Sequence, residues 1–391
     1  MISVEEARRI LLQHVPACRS AFLFPDQVHG QHLVNDVYGQ HPFPLFDMSA
    51  VDGYAVCGDG PQWKVVGNVP AGATYDLSLS SGECVRIFTG AMVPEGTSAV
   101  IMQEYCGSDG DTAVHNGAPP AVGTNIRRKA ESLRAGELLL RKGTRMGPAS
   151  IGLLTSVGVQ QVEVFAKPDV GVVRTGSEFM DEGALQAGRI FSSNEWMLAA
   201  ALDAEGVFVE SGLITVGDNS ADLSDAIVAA LEETDVLITT GGASVGDHDL
   251  VEPVLRALGA EIHFHGVAQK PGKPMLFATL MGKPVFALPG NPRAVMVLYW
   301  EYVLPFLHAM QGSPEPWLGG DRLPISHATT VKGNRAEFRA ARVKGGQVTL
   351  LADEGSHMLR SLVDADALAY IPSAVRVLEA GDPIEVHYLP R

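Results

Sequence analysis

Gly266 to Val295 reads GVAQKPGKPMLFATLMGKPVFALPGNPRAV. Lys270, Lys273, Lys283 and Arg293 lie in it without one Asp or Glu, although the whole chain carries a formal net charge of −16. A basic island in an acidic protein predicts a locally held anion. Lys270-Pro271-Gly272-Lys273-Pro274 is a stiff frame, because each proline sets its own φ and biases the residue before it towards extended backbone. Pro284-Val-Phe-Ala-Leu288 then reads as a buried strand, and Pro289-Gly290-Asn291-Pro292 as a turn into a long apolar helix that runs to about Met310. A strand, a Gly/Asn turn and a helix start together present backbone N–H groups to an anion. A plain strand–turn–helix corner carrying surface lysines is the alternative.

Upstream, from Pro168, the same pattern repeats. Strands are expected at Asp169–Val173, Val207–Thr215 and Asp235–Thr240, and helices at Ser193–Leu202, Ala221–Glu232 and Asp249–Leu258. This is βαβ alternation, hence a mostly parallel sheet with helices on both faces. Glu178, Asp218, Gly241-Gly242, Ser244, Asp249 and the Pro-Gly-Asn turn all follow strand C-termini, where open α/β sheets bind ligands. Three carboxylates beside an anion make sense if they hold Mg²⁺, which takes few carboxylates plus phosphate oxygens. Taken singly, each reads more readily as a helix cap or a turn residue than as a ligand. Neither G-x-x-x-x-G-K-[ST] nor G-x-G-x-x-G occurs at these loops, which disfavours a P-loop or a dinucleotide site.

Length and composition set the frame. The 391 residues are expected to make several domains. The four cysteines, Cys18, Cys57, Cys84 and Cys106, form no C-x-x-C pair, so neither a zinc site nor a disulfide framework is expected. The acidic N-terminal helix signal, Ser3-Val-Glu-Glu6 with an apolar stripe at Ala7, Ile10, Leu11 and Val15, is a capping box and not a secretory leader. No run of about twenty apolar residues exists to span a bilayer. Net acidity argues against non-specific nucleic-acid binding. A cytoplasmic protein is expected.

The flanks are β-rich. Between Trp63 and Asn125, short apolar runs are punctuated by Gly, Pro, Asn and Asp, and read as a small β domain. Asp52-Gly53 precedes it, and Thr89-Gly90 follows one of its strands. Met146–Val157 reads as a helix. From Trp317 to Arg391, four strand-like runs between turn residues predict a small barrel.

The motifs DMSAVDGYAV (47–56), FTGAMVPEG (88–96), VIMQE (100–104), TGSE (175–178), TTGGASVGDHD (239–249), KPGKP (270–274) and LPGNP (288–292), in this order, resemble the molybdopterin molybdenumtransferase (MoeA) family, related to the gephyrin E domain. The resemblance implies an α/β plus β, multi-domain elongated chain. Its parts would be a helical linker region (1–44 and 130–166), a β domain (45–129), a three-layer molybdopterin-binding α/β domain (167–313) and a C-terminal β-barrel (314–391). It implies insertion of molybdate into adenylated molybdopterin with release of AMP, dependent on Mg²⁺. It further implies a homodimer whose site is shared between subunits, supplied by a molybdopterin adenylyltransferase-type enzyme upstream.

By the same analogy, Glu178 and Asp249 hold Mg²⁺ or position water, and Lys270 and Lys273 take molybdate and the pterin phosphate. Asp218, Pro289 and Pro292 shape the pocket. Gly241, Gly242 and Ser244 form a phosphate loop, next to Gly290 and Asn291, and Asp52 and Thr89 come from the partner subunit. The chain departs from the family pattern at Arg293-Ala294 after GNP, at Ser193-Asn194-Glu195, at Gly176-Ser177-Glu178 and at Asp366-Ala367. Two other readings stand beside the insertase: a molybdopterin adenylyltransferase and a non-catalytic, gephyrin-like scaffold.

Overall fold

The computed structural model describes all residues except 18, 75, 77, 119, 181–186, 243–249, 353–354, 356–357 and 391. The chain divides into two compact units, Met1–Ala21 with Phe165–Arg391, and Phe22–Val164.

Helix α1 (Val4–Gln13) opens the chain with the capping box in place: Ser3 accepts a hydrogen bond from the Glu6 N–H. Its apolar side chains Val4, Ala7 and Leu11 are buried in the core of the first unit.

The second unit is built on a six-stranded sheet. Its strands are β1 (Gly53–Val56), β2 (Gln62–Val69), β3 (Glu83–Ile87), β4 (Ala99–Met102), β5 (Cys106–Asp109) and β6 (Thr112–His115). They run in the spatial order β4-β1-β3-β2-β6-β5. Alternate residues serve two cores. Ala55, Val85 and Ile87 face one, and Val56, Cys84 and Ile101 the other, as a strand's period of two requires. Helix α2 (Pro148–Ser156) has proline at its first position, where no N–H is missed. It packs with Val28, Leu33, Val162 and Val164 in a separate cluster.

The remainder of the first unit is the expected α/β layer structure followed by β structure. Strand β7 (Val170–Thr175) is buried throughout. It is followed by α3 (Asn194–Glu205), β8 (Phe208–Val216), α4 (Ser220–Glu233), β9 (Val236–Thr240), α5 (Val251–Ala257), β10 (Glu261–His265), β11 (Gln269–Lys270), β12 (Leu276–Leu280) and β13 (Lys283–Leu288). The main sheet has the order β8-β7-β9-β13-β12-β10. Its first four strands are parallel, and β12 runs antiparallel to both neighbours. Side chains alternate between two cores: Val172, Ile238 and Phe286 lie with α1 and α3, and Val173, Leu237 and Val285 with α4 and α5. Burial on both faces explains why these strands read as continuous apolar runs.

The long helix expected after the Pro-Gly-Asn turn is interrupted. Helix α6 (Pro292–Leu298) passes through a π turn (Tyr299–Val303) into α7 (Leu304–Met310). Pro305 has no N–H to offer the carbonyl four residues back, and the preceding turn winds wider.

The C-terminal strands are β14 (Gly320–Pro324), β15 (Ala336–Lys344), β16 (Gln347–Leu350), β17 (Ala367–Ile371) and β18 (Pro383–Tyr388). The barrel expected from the sequence is met only as far as a curled sheet, of order β11-β15-β17-β18-β14, with β16 pairing the C-terminal half of β15 on the edge opposite β17. Among the described residues its ends meet at an isolated bridge, Ile325 to Val348. Strand β11 belongs to the KPGKP segment, and pairs Gln269 and Lys270 with Ala336 and Glu337. That ladder stitches the basic island to the C-terminal sheet. Among the described residues no helix is long and apolar enough to cross a membrane.

Candidate active site

The four parallel strands end in loops on one side of the main sheet, and hydrogen bonds join the loops. After β7, Ser177 donates its N–H to Asp218 Oδ2 at 3.0 Å, and Asp218 returns its own N–H to Ser177 Oγ at 3.0 Å. Asn219 caps α4 by accepting from the N–H groups of Ala221 and Asp222 at 2.8 and 3.2 Å. The β7 and β8 loops are therefore held as one piece. Glu178 and Asp218 are both exposed on it.

Between β7 and β9 the backbone comes very close. Gly241 has φ +89°, and a Cβ there would lie 2.1 Å from the Thr175 carbonyl oxygen. Glycine is thus demanded twice, by the left-handed conformation and by the approach of another backbone. Gly241→Ala is expected to destabilise the protein by about 2 kcal/mol or more, read as a lowered thermal unfolding midpoint. Gly242 has φ +58° and stands against Thr175 Cγ2 and Val251 Cγ2. Ser244 and Asp249 lie outside the described residues.

The β13 loop joins this cluster through Asn194. The Asn194 carboxamide nitrogen donates to Thr240 Oγ1 and to the Gly290 carbonyl, both at 2.9 Å. Thr240 in turn donates to the Pro289 carbonyl at 3.3 Å. Among the described residues, the side-chain oxygens of Asn194 and Asn291 are buried without a hydrogen-bond partner. Asn194 escapes a reading of strand ends, since it opens a helix. Its neighbour Glu195, with its reversed charge, was the available signal.

On its other side the β13 loop borders a cavity of about 270 Å³, lined by Lys270, Lys273, Asn291, Arg293, Arg335, Glu337 and Arg339. Lys270 and Lys273 are exposed on the proline frame, and Gly272 between them has φ +89° against Leu298. Five cations face one carboxylate here. Glu337 is 2% exposed. It is ion-paired with Arg339 at 2.7 Å and lies 3.9 Å from the Lys270 ammonium. Arg293 is buried at the start of α6, and donates to Ser361 Oγ and to the Met358 carbonyl. Arg335 donates to the Gln269 carbonyl at 3.2 Å. Arg335 and Arg339 are absent from the sequence expectation because nothing local marks them. They reach the lysines only through the β11–β15 ladder. Lys283, the fourth basic residue of the island, is elsewhere: it begins β13 and donates to the Leu231 carbonyl.

In the other unit, Asp52 and Thr89 do meet. Asp52 Oδ1 accepts from the Thr89 N–H at 2.8 Å and from its hydroxyl at 2.9 Å. The Thr89 N–H, then its hydroxyl, hold the Asp52 carboxyl below the usual carboxylate range. Arg86 stacks on Tyr54 and Phe88 and donates to the Gly53 carbonyl at 2.9 Å. Gly53 is required by packing, since a Cβ there would lie 1.8 Å from the Ile101 carbonyl oxygen.

The donor chemistry on the β7–β8 piece suits Mg²⁺, a hard cation held by one or two carboxylates together with substrate phosphates and water. Among the described residues there is no group of three or more His, Cys, Asp or Glu that could hold a metal. Glu178 and Asp218 are two exposed carboxylates on this piece, and Asp249, the second expected metal ligand, lies outside the described residues.

Comparison with known proteins covers the whole chain. Residues 2–158 match the MoeA N-terminal region (domain I and II), 171–309 the probable molybdopterin binding domain, and 322–389 the MoeA C-terminal region (domain IV). The molybdopterin molybdenumtransferase of Haemophilus influenzae is 31% identical over 402 residues, covering 99% of this chain and 98% of that protein. Molybdopterin molybdenumtransferase 2 of Mycobacterium tuberculosis is 33% identical over 404 residues, covering 99% of each. A crystal structure of the molybdopterin biosynthesis MoeA protein from Pyrococcus horikosii superimposes with a TM-score of 0.82 at 29% identity, covering 100% of both chains. The chain belongs to the molybdopterin molybdenumtransferase (MoeA) family.

Proposed function

We propose that this protein inserts molybdate into adenylated molybdopterin and releases AMP, in the biosynthesis of the molybdenum cofactor. The observation that carries the reading is the cavity of Lys270, Lys273, Arg293, Arg335 and Arg339 in a chain of net charge −16. Two anions, molybdate and a phosphorylated pterin, repel each other. At 4 Å two unit charges interact by about 4 kcal/mol at an effective dielectric of 20. Fixed cations offset that repulsion most where charge accumulates during ligand exchange.

Lys270 and Lys273 orient the oxyanion, and the proline frame keeps their backbone from shifting. The Gly241-Gly242 turn receives the phosphate, with Gly290 and Asn291 beside it. Pro289 and Pro292 hold the β13 loop in shape. Glu178 and Asp249 would hold Mg²⁺, with Asp218 shaping the pocket beside them. Mg²⁺ bound there would offset charge on the phosphoanhydride oxygens. Asp52 and Thr89 complete the site from the partner subunit of a homodimer, with a molybdopterin adenylyltransferase-type enzyme supplying the substrate in the cytoplasm. The curled C-terminal sheet serves as the family's barrel.

Similarity to insertases along the full chain favours this reading over an adenylyltransferase. The test is AMP release from adenylated molybdopterin with Mg²⁺, with and without molybdate. Molybdate-stimulated release with cofactor formed is expected. Tight binding without release would leave a scaffold, and absence of binding would overturn the assignment.

A further inference from the structure

A buried ion pair lies at the C-terminal end of β7 and the start of α3. Arg174 is the penultimate residue of β7, and Glu195 the second of α3. Their side chains are 7% and 4% exposed, with Arg174 Nε 3.2 Å from Glu195 Oε1. Ser192 donates its hydroxyl to Glu195 Oε2. A buried pair is weak evidence of stability, because desolvating two charges offsets their attraction. Its value here is geometric.

The Arg174 guanidinium lies over the Phe179 ring, 4.7 Å from its centre. Arg174 and Phe179 flank Thr175-Gly-Ser-Glu178, so this stacking closes the turn at both ends. The turn is tight inside as well. At Gly176, φ +141°, a Cβ would lie 2.4 Å from Glu178 Oε2 and 2.6 Å from Phe179 Cε2. The Glu178 carboxylate is therefore folded over the glycine, which the ring under Arg174 also approaches. At the other end of the pair, Glu195 follows Asn194, which pins Thr240 and Gly290. Glu195 also sits in the first turn of a twelve-residue helix, where an acid is favoured. One ion pair thus fixes both the Glu178 turn and the residue that ties the β9 and β13 loops to it.

We infer that Arg174 and Glu195 are positioning residues that set the direction of the Glu178 carboxylate and, through it, the divalent-cation affinity of the site. The inference rests on the reading of Glu178 as a cation ligand. Groups that orient metal ligands change affinity about tenfold or more when removed. A flat guanidinium that stacks is not replaced by a lysine ammonium, although the charge is kept.

The test uses the full chain and compares Arg174→Lys, Glu195→Gln, Phe179→Leu and Glu178→Gln. Two quantities are read: Mn²⁺ affinity by electron paramagnetic resonance, and the Mg²⁺ dependence of AMP release. For the first three variants the half-saturating Mg²⁺ concentration is expected to rise about tenfold, with Mn²⁺ affinity falling by the same factor. The rate at saturating Mg²⁺ is expected to stay within about threefold of the parent, a split that general loosening would not produce. If Glu195→Gln does not fold, Phe179→Leu removes the stacking and leaves every charge in place. Unchanged cation affinity in Arg174→Lys and Phe179→Leu, with Glu178→Gln weakened, overturns the inference alone. Unchanged Mn²⁺ affinity in Glu178→Gln overturns the reading of Glu178 and the inference with it.

Discussion

Lys273→Ala is expected to lower molybdate-dependent AMP release about a hundredfold, the scale seen when one preorganised donor to a developing anion is removed. Lys273 is exposed, it lines the cation-rich cavity, and among the described residues no ion pair ties it to a carboxylate. Its removal should therefore leave the fold intact, since exposed substitutions away from special backbone usually change stability by only about 0.5 kcal/mol. Lys270 differs, because Glu337 stands 3.9 Å from its ammonium. Lys270→Ala is expected to weaken molybdate binding less, by the share of its charge that Glu337 already offsets. Steady-state kinetics at varied molybdate separate the two. A Lys273→Ala protein with unaltered KM for molybdate and unaltered rate would remove that lysine from the oxyanion site.

Glu301→Ala is expected to destabilise the first unit by about 3 kcal/mol, as breaking a buried ion pair does. Glu301 lies on the π turn and is 1% exposed. It accepts from Arg8 of α1 at 2.6 Å and pairs with His387 of β18 at 2.9 Å. Three segments distant in sequence thus converge on one carboxylate. Burial, the largest influence on His387, opposes its charged form. The hydrogen bond and charge of Glu301, with the hydrogen bond to Glu385, outweigh it and raise the imidazole above its ordinary value of 6.5.

A raised folded-state value means that protonation is linked to folding. The contribution of His387 is fully present below pH 6.5 and is lost as pH rises through the raised value. Arg8 opposes the imidazolium from α1, and Tyr370 stacks on its ring. Urea unfolding of wild type is expected to show stability falling above pH 6.5. His387→Gln is expected to flatten that limb. A pH-independent difference between the two proteins would sink the linkage.

The layers of the α/β region were legible because their signal is local. Strand period, helix period and Gly/Pro punctuation all lie within a few residues, so β7, β9 and β13 and the helices between them fell close to where pattern alone puts them. Boundaries moved where a side chain or ring intervened. The long helix after Asn291 contains a π turn because of Pro305. The expected barrel is met only as a curled sheet, since closure depends on register between strands far apart in the chain.

The candidate site divides in the same way. Glu178, Asp218, Gly241, Gly242, Gly290 and Asn291 were marked by position, since ligand loops of parallel sheets follow strand C-termini. Lys270 and Lys273 were marked by charge against an acidic background. Arg335, Arg339 and Arg174 carried no such mark, and Asn194-Glu195 stood out only as a departure from the family pattern. They enter through the pairing of β11 with β15, the bonds from α3 to two loops and the stacking of Arg174 on Phe179. Sequence by itself determined the family, the α/β layering and the residues set by local backbone chemistry. Tertiary structure alone decided which distant cations share one cavity, that α1 packs in the α/β core and that Glu301 gathers Arg8 and His387. Local propensity acts over a few residues, whereas charge pairing and burial act through space between segments whose contact only the folded chain creates.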